Sequence, residues 1–322
     1  MKIQEIARLA GVSAATVSRV FSHQPGIKEE VRQNVLAIAR KHNYHPRFSS
    51  RQKNVVIITP YDSVFPVQSC VDMILMSLAQ VLPKYDFRIE ILPVNNQERL
   101  ESIQFCGAVA IGVEASEFPR WEERFSVPLI VMDRSPAGKV PPNVCFVHSD
   151  EAQGMAAAVD HLYTCGCRRI GCIIHGSPER GNALLRFNAV SRALKKHSLP
   201  YNRNLVCYSG DGTEKYVELI GKMLKQQIDA LFCPGGNAGL MALYALSLFS
   251  RRIPDDISLI ASEQTAFSQF TVPPQTTISP DYHGLAEQVA RILTGWLDNE
   301  PLPGAVSLPY ELKIRESTAV PE

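Results

Sequence analysis

The 322-residue sequence holds no run of about 20 apolar residues, so no membrane-spanning helix is expected and no membrane partner. Its opening, MKIQEIARLAG, lacks the continuous apolar core of a secretory signal, and the protein is expected to be soluble and cytoplasmic. Phosphate-cradling P-loops, glycine-rich dinucleotide fingerprints and zinc-protease helix motifs are all missing. The eight histidines pair with no nucleophile at a recognisable spacing. Together these absences argue against an enzyme, and no catalytic residue or cofactor is assigned. The eight cysteines lack the pattern of a disulfide framework and fall mostly in apolar runs such as GCRRIGCII and DALFCPGG. Reduced, buried thiols are the expectation. Cys165, Cys167 and Cys172, with His161 upstream, match no paired-ligand spacing, and Cys172 sits inside an expected strand, so no metal site is expected. No low-complexity tract suggests disorder.

What is present is an uneven distribution of charge. The net charge of +1 conceals a basic head, because residues 1–53 hold ten Lys/Arg against three Asp/Glu. The remaining residues hold 23 against 29. A cationic head on a mildly acidic body suits a polyanion partner, although a solvated basic face would look the same. At this length, with 45% hydrophobic residues, two or three well-cored domains are expected.

The head has its own grammar. In IQEIARLAG, Ile3, Ile6, Ala7, Leu9 and Ala10 recur at helical spacing and stop at Gly11, which permits a sharp left-handed turn. Ser13 can cap a second helix, AATVSRVF, whose Val17 and Val20 pack back with Val12 on the first. A third follows in KEEVRQNVLAIARKHNY, closing the bundle with Val31, Val35, Ile38 and Ala39. This is a helix–turn–helix pattern, whose second helix enters the DNA major groove. Ala14 and Ala15 keep its first turn slim and offer only apolar contact, while Arg19 can fork two donors onto guanine. Ser13, Thr16 and Ser18 can hold phosphates. The alternative is a small helical hairpin with Arg19 merely solvated.

From Val55 onward strands and helices alternate. VVIIT, FRIEIL, GAVAIGV, PLIVMD, RRIGCII, NLVCYS, DALFCP and ISLIAS read as strands. Continuous apolar strands separated by helices imply parallel sheets covered on both faces, arranged as two doubly wound α/β lobes. Ligands in such folds sit at the carboxyl ends of strands, here expected between the lobes.

IQEIARLAGVSAATVSRVF, followed by GIKEEVRQNVLAIARKHNYHP, resembles the DNA-binding head of the lactose-repressor (LacI/GalR) family of bacterial transcription regulators. The resemblance continues through FVHSDEAQGMAAAVDHLYTCGCRRIGCIIHG, RRIPDDISLIASEQ, PPQTTISPDYHGLA and ELKIREST. It implies a helix–turn–helix domain at 1–46, a linker at 47–54, and a body of the type I periplasmic-binding-protein fold. One lobe would comprise 55–147 with 280–305, and the other 148–279 with 306–322. It also implies a homodimer on a palindromic double-stranded operator, most readily as a repressor, under a small-molecule effector that is a sugar or related metabolite. Ala14, Ala15 and Arg19 fall at the family's base-reading positions, and Ser13, Thr16 and Ser18 where it contacts DNA.

Two departures stand out against that family. The linker is shorter than in typical members, and Lys53 falls where a leucine normally wedges into the minor groove. Arg47, Arg51 or Lys53 could still read that groove, with Phe48 as a substitute wedge. A plain basic tether is the preferred reading, since so short a helix is marginal, and it predicts little operator bending. In the effector site, Arg186 matches the family's ligand-holding arginine and Glu263 stands where an aspartate usually binds sugar hydroxyls. The family's Asn-Asp pair, however, reads Gly235-Gly236, and Gly212 replaces an aromatic found in several members. Asp62, Phe65, Asn237 and Tyr282 are further candidates. Asp62 and Asn237 could equally be caps, and Phe65 and Tyr282 core or interface aromatics. The expected effector is then not a simple hexose, or the site is vestigial. A solute-binding protein would share the body but have no use for the basic head, and an architectural DNA-binding protein with an inert body is the third possibility.

Overall fold

The computed structural model describes residues 2–21, 26–42, 44, 53–60, 70–136, 138–179, 181–210, 215–236, 238–263 and 266–319. The chain divides into two compact units. One comprises Met1–Phe65, Ile74–His148 and His283–Val306, and the other Pro66–Met73, Ser149–Tyr282 and Ser307–Glu322.

The chain begins with three helices, α1 (Ile3–Ala10), α2 (Ala14–Phe21) and α3 (Glu29–Lys41). Their shared core is Ile6, Ala7, Ala10, Val17, Val20, Phe21, Val35, Leu36 and Ala39, with Val12, Ala14, Val31, Ile38 and Tyr44 packed around it. Gly11 ends α1 in the left-handed region at φ 66°, and the Val12 N–H then donates to the Ala7 carbonyl at 3.0 Å. That geometry turns the chain within three residues and is the reason glycine stands there. Asn34 of α3 donates its side-chain amide to the Ala10 carbonyl at 3.2 Å, tying the end of α1 to the third helix.

The rest of the first unit is a six-stranded sheet of β1 (Asn54–Thr59), β2 (Arg88–Pro93), β3 (Gly107–Ile111), β4 (Leu129–Met132), β5 (Val144–Ser149) and β11 (Ala305–Leu308). Its order is β11-β5-β4-β3-β1-β2, and β1 through β5 pair in parallel. Val55 to Ile58 are wholly buried, as a sheet covered on both faces requires. The helices lying wholly or mostly in this unit's body are α4 (Cys70–Val81), which enters it at Ile74, the short α5 (Trp121–Arg124) and α10 (Tyr282–Leu297), which enters it at His283. An aromatic cluster of Phe105, Phe118, Trp121 and Phe125 fills one side, and the Trp121 indole N–H donates to the Val127 carbonyl at 2.8 Å.

The second unit repeats the plan with β6 (Ile170–Ile174), β7 (Val206–Tyr208), β8 (Ala230–Cys233), β9 (Ser258–Ser262), β10 (Thr276–Pro280) and β12 (Tyr310–Lys313), in the order β12-β10-β9-β8-β6-β7. Helices α6 (Glu151–Thr164), α7 (Ala183–Lys196), α8 (Lys215–Leu224) and α9 (Ala238–Leu248) alternate with its first strands. β6 to β10 pair in parallel, while β12 returns antiparallel to β10. β6 lies between β7 and β8, so the strand order reverses at β6, the point where doubly wound sheets open for ligands. Beyond β12, Ser317 accepts from the Thr276 N–H at 2.7 Å and donates to the Leu259 carbonyl at 2.6 Å. Thr318 bonds the Thr276 hydroxyl at 3.0 Å. The tail is thereby stapled to β9 and β10.

Beyond the eight strands expected from apolar runs, the fold adds β5, β10, β11 and β12. β10 is rich in hydroxyl side chains and buried by hydrogen bonding, and β11 and β12 are four-residue strands at sheet edges, so none of these three forms an apolar run. Removal of the aromatic anchor by Trp121→Ala should cost roughly 3–5 kcal/mol. Urea denaturation followed by circular dichroism checks this.

Candidate functional site

Two regions gather polar chemistry on these scaffolds. On the head, Ser13 caps α2, its hydroxyl oxygen accepting from the Thr16 N–H at 3.0 Å and lying 2.9 Å from the Thr16 hydroxyl. With Val17, Val20 and Phe21 buried on the inner face, Ser13, Ala15, Ser18 and Arg19 are exposed on the outer one. Thr16 is half-buried, and Ala14 is half-buried against the head core. Ala14 thus contributes to packing, which its small size permits, as well as keeping the turn slim. A helix with a packed inner stripe and a slim outer stripe bearing one arginine has the form of a groove-reading element.

The second region lies at the carboxyl ends of β6, β8 and β9 in the second unit. Arg186, on α7, donates from Nε to Glu151 Oε2 at 2.9 Å and from Nη2 to Oε1 at 2.7 Å. Asn182 adds a third donor to Oε1 at 3.0 Å. Both charged side chains are largely withdrawn from water, at 12% exposure for Arg186 and 4% for Glu151. Removing one partner of such a pair strands a buried charge, at a cost of about 3–5 kcal/mol. Glu151 sits in the first turn of α6, where the helix dipole favours a carboxylate, beside the N-cap Asp150 whose side chain accepts from the Gln153 N–H at 3.0 Å.

Gly235 and Gly236, just after β8, have φ of 89° and 53°. A Cβ on Gly235 would lie 2.4 Å from Arg186 Nη1, and one on Gly236 within 2.7–2.9 Å of the His175 ring. The paired glycines therefore make room for Arg186 and His175. The His175 N–H donates to the Pro234 carbonyl at 3.1 Å, and its Nδ1 lies 3.5 Å from both the Ser209 and Tyr216 hydroxyls. The Gly235 N–H donates to Ser262 Oγ at 3.0 Å, linking this group to the end of β9.

Glu263 follows directly. Its Oε2 accepts from Ser279 at 2.6 Å and from Lys313 at 2.8 Å, and its Oε1 from Arg315 at 2.7 Å. Burial pushes its pKa up, but the hydrogen bonds from Lys313 and Ser279 and the charges of Lys313 and Arg315 outweigh that and hold it below the ordinary value. Arg315 also donates to the Gln275 carbonyl at 2.6 Å and to the Thr277 hydroxyl at 3.0 Å. Glu263 thus anchors the C-terminal strand as much as it faces any ligand.

Matches to known proteins follow this division of the chain. Residues 2–47 match the model of bacterial regulatory proteins of the lacI family, and residues 159–318 that of the periplasmic binding protein-like domain. The chain belongs to the LacI family. It is therefore a DNA-binding transcription regulator with an effector-binding domain, and the family is not enzymatic. The HTH-type transcriptional repressor PurR of Haemophilus influenzae is 28% identical over 311 residues, covering 90% of this chain and 89% of that protein. The HTH-type transcriptional regulator MalR of Streptomyces coelicolor is 27% identical over 348 residues, covering 99% and 96%. Among solved structures, the transcriptional regulator CelR–cellobiose complex superposes with a TM-score of 0.73 at 22% identity, covering 98% of this chain and 99% of that one. The lac repressor dimer bound to operator and the anti-inducer ONPF gives 0.70 at 19% identity, covering 99% of each. At those identities the two structures speak to the fold.

Of the site residues expected in this LacI-family chain, Arg186 on α7 lies against Gly235 after β8, and Glu263 directly follows β9, whose Ser262 accepts from the Gly235 N–H. Tyr282 is the half-buried first residue of α10. Arg47, Phe48, Arg51, Asp62, Phe65, Gly212 and Asn237 lie outside the described residues. Lys53 is committed to the body, its ammonium donating to the Tyr85 carbonyl at 3.4 Å and standing 5.4 Å from the centre of the Phe87 ring. Glu151, Asn182 and His175 were not anticipated. An acidic residue in a first helical turn reads as a dipole complement, and nothing in its neighbours announces an arginine 35 positions away. Among the described residues no group of three His, Cys, Asp or Glu could hold a metal. His161 lies 3.0 Å from the Thr318 hydroxyl and 3.4 Å from Cys165, while Cys172 is buried in β6. No described helix is long and apolar enough to cross a membrane.

Because the folded-state pKa of Glu263 is depressed, its pairing stabilises the protein above the unfolded glutamate value of about 4.3 and is lost as pH falls through the folded value. Glu263→Gln should therefore be less stable at neutral pH and lose less stability than the parent between roughly pH 5 and pH 3. Thermal melts across that range read the difference.

Proposed function

We propose that this LacI-family chain is a cytoplasmic, homodimeric repressor that binds a palindromic operator through α2 and answers to a small polar metabolite at the carboxyl ends of the second sheet. The observation that carries the DNA-binding half is the outer face of α2, where Ala15, Ser18 and Arg19 are exposed on a rigidly packed bundle. The repressor assignment follows PurR, and the idea of a sugar-like effector and a dimer on DNA follows the cellobiose and operator complexes of the structural relatives. The basic head supplies phosphate neutralisation, so affinity should fall steeply with salt. Selection of bound sequences from a random DNA pool is expected to return an inverted repeat, and failure to enrich any repeat removes the proposal. On that operator, Arg19→Ala should cost about 1–3 kcal/mol and relax discrimination at one base pair. Equal weakening on every sequence would make Arg19 a phosphate contact instead.

The dimer is supported by an apolar surface on the second unit. Leu240, Tyr244 and Leu248 are exposed along one face of α9 at four-residue spacing, and Phe267, Phe270 and Val272 are exposed on the segment after β9. That segment is tied to the start of α9, since Gln275 donates to the Gly239 carbonyl at 3.0 Å and its own N–H donates to the Ser268 carbonyl at 2.8 Å. Tyr244→Glu combined with Phe270→Glu should yield a folded monomer by sedimentation velocity, and a dimer that survives the pair excludes this surface.

A second reading has a specific observation behind it. Arg186 and Glu263 are both engaged by internal partners, as they would be in a regulator whose effector is not a simple hexose or whose site is vestigial.

A further inference from the structure

Resting on the effector-site reading above, we propose that Glu151 sets the ligand class of that site: by occupying the Arg186 guanidinium it makes the site accept an uncharged polar ligand and reject anions such as sugar phosphates and carboxylates. An arginine at the switch point of a doubly wound sheet is ordinarily an invitation to phosphate or carboxylate, because its fork matches two anionic oxygens. Here that fork is already filled, with Nε and Nη2 on the two oxygens of one carboxylate at 2.9 and 2.7 Å.

Glu151 is not a casual partner. It accepts a third hydrogen bond from Asn182, itself buried, and lies in the first turn of a helix that stabilises its charge. An incoming anion would have to displace this carboxylate while standing beside it, leaving two negative groups for one arginine in a site with little water to screen them. The third fork nitrogen, Nη1, lies against Gly235, where a Cβ would collide with it. The other acid at these strand ends, Glu263, is matched by Lys313 and Arg315. A neutral ligand avoids the conflict. It can take hydrogen bonds from the rim without breaking the pair, and His175 and Ser262, both half-buried, supply polar atoms there.

The test uses the full chain and inorganic phosphate, with glucose 6-phosphate as a larger anionic probe, followed by calorimetry and thermal shift. The parent protein should show no saturable binding of either anion that depends on Arg186. Glu151→Gln, which keeps the size of the side chain and removes its charge, should bind phosphate roughly tenfold tighter or more. The double variant Glu151→Gln/Arg186→Met should lose that gain. A folded Glu151→Gln protein with no gain, or a gain that persists without Arg186, overturns the proposal. Should Glu151→Gln not fold, the parent decides alone: matched titrations with glucose and glucose 6-phosphate overturn the idea if the phosphate ester binds as tightly as glucose or tighter, and uphold it if the ester binds more weakly or not at all. None of these titrations involves DNA, so a negative result here leaves the operator reading standing, and a failed operator selection leaves the titrations intact.

Discussion

A parallel sheet buried on both faces can present polar chemistry only at the ends of its strands, and that constraint organises the body of this protein. Along β1, β3, β6 and β8 nearly every side chain is apolar and out of water, because helices cover each face. Backbone groups are consumed by the ladders. Charge, hydroxyl and imidazole are displaced to the carboxyl edge, where Arg186, Glu151, His175, Ser262 and Glu263 gather from segments far apart in the chain. The head obeys a different economy. With a core of nine apolar side chains, it commits the inner face of α2 to stability and leaves the outer one for recognition.

How much of this could be read in advance depends on whether the cause was local. The three head helices were legible because their signals are adjacent in sequence: an apolar period, a glycine stop and a serine cap within a dozen residues. The central strands were legible as apolar runs. β10 and β12 were not, since β10 is rich in hydroxyl side chains held by hydrogen bonds with Ser317, Thr318 and Arg315, and β12 is a short, partly exposed edge strand, and no run of hydrophobicity reports either. The family resemblance located Arg186 and Glu263 but supplied only a generic role for each. Their actual neighbours are set by tertiary packing. Glu151 is 35 residues from Arg186, and Lys313 is 50 from Glu263. No periodicity carries such information.

The glycine pair shows the same point from the other side. In sequence, Gly235-Gly236 looked like a loss, two polar side chains missing from where the family keeps them. In the fold it is an accommodation, because the space those side chains would fill is taken by Arg186 and His175. An apparent defect in a binding motif was a displaced solution to a packing problem.

That accommodation constrains how the protein could change over time. A side chain gained at Gly235 would be strained at its φ of 89° and would press on the tip of Arg186, loss of Arg186 would leave Glu151 as a stranded charge, and a neutral residue at 151 would leave the arginine without its buried counter-ion. Each single step passes through a less stable intermediate. The arginine and its glutamate are therefore expected to be exchanged together, so that descendants of this chain either inherit the ion pair or abandon both of its members.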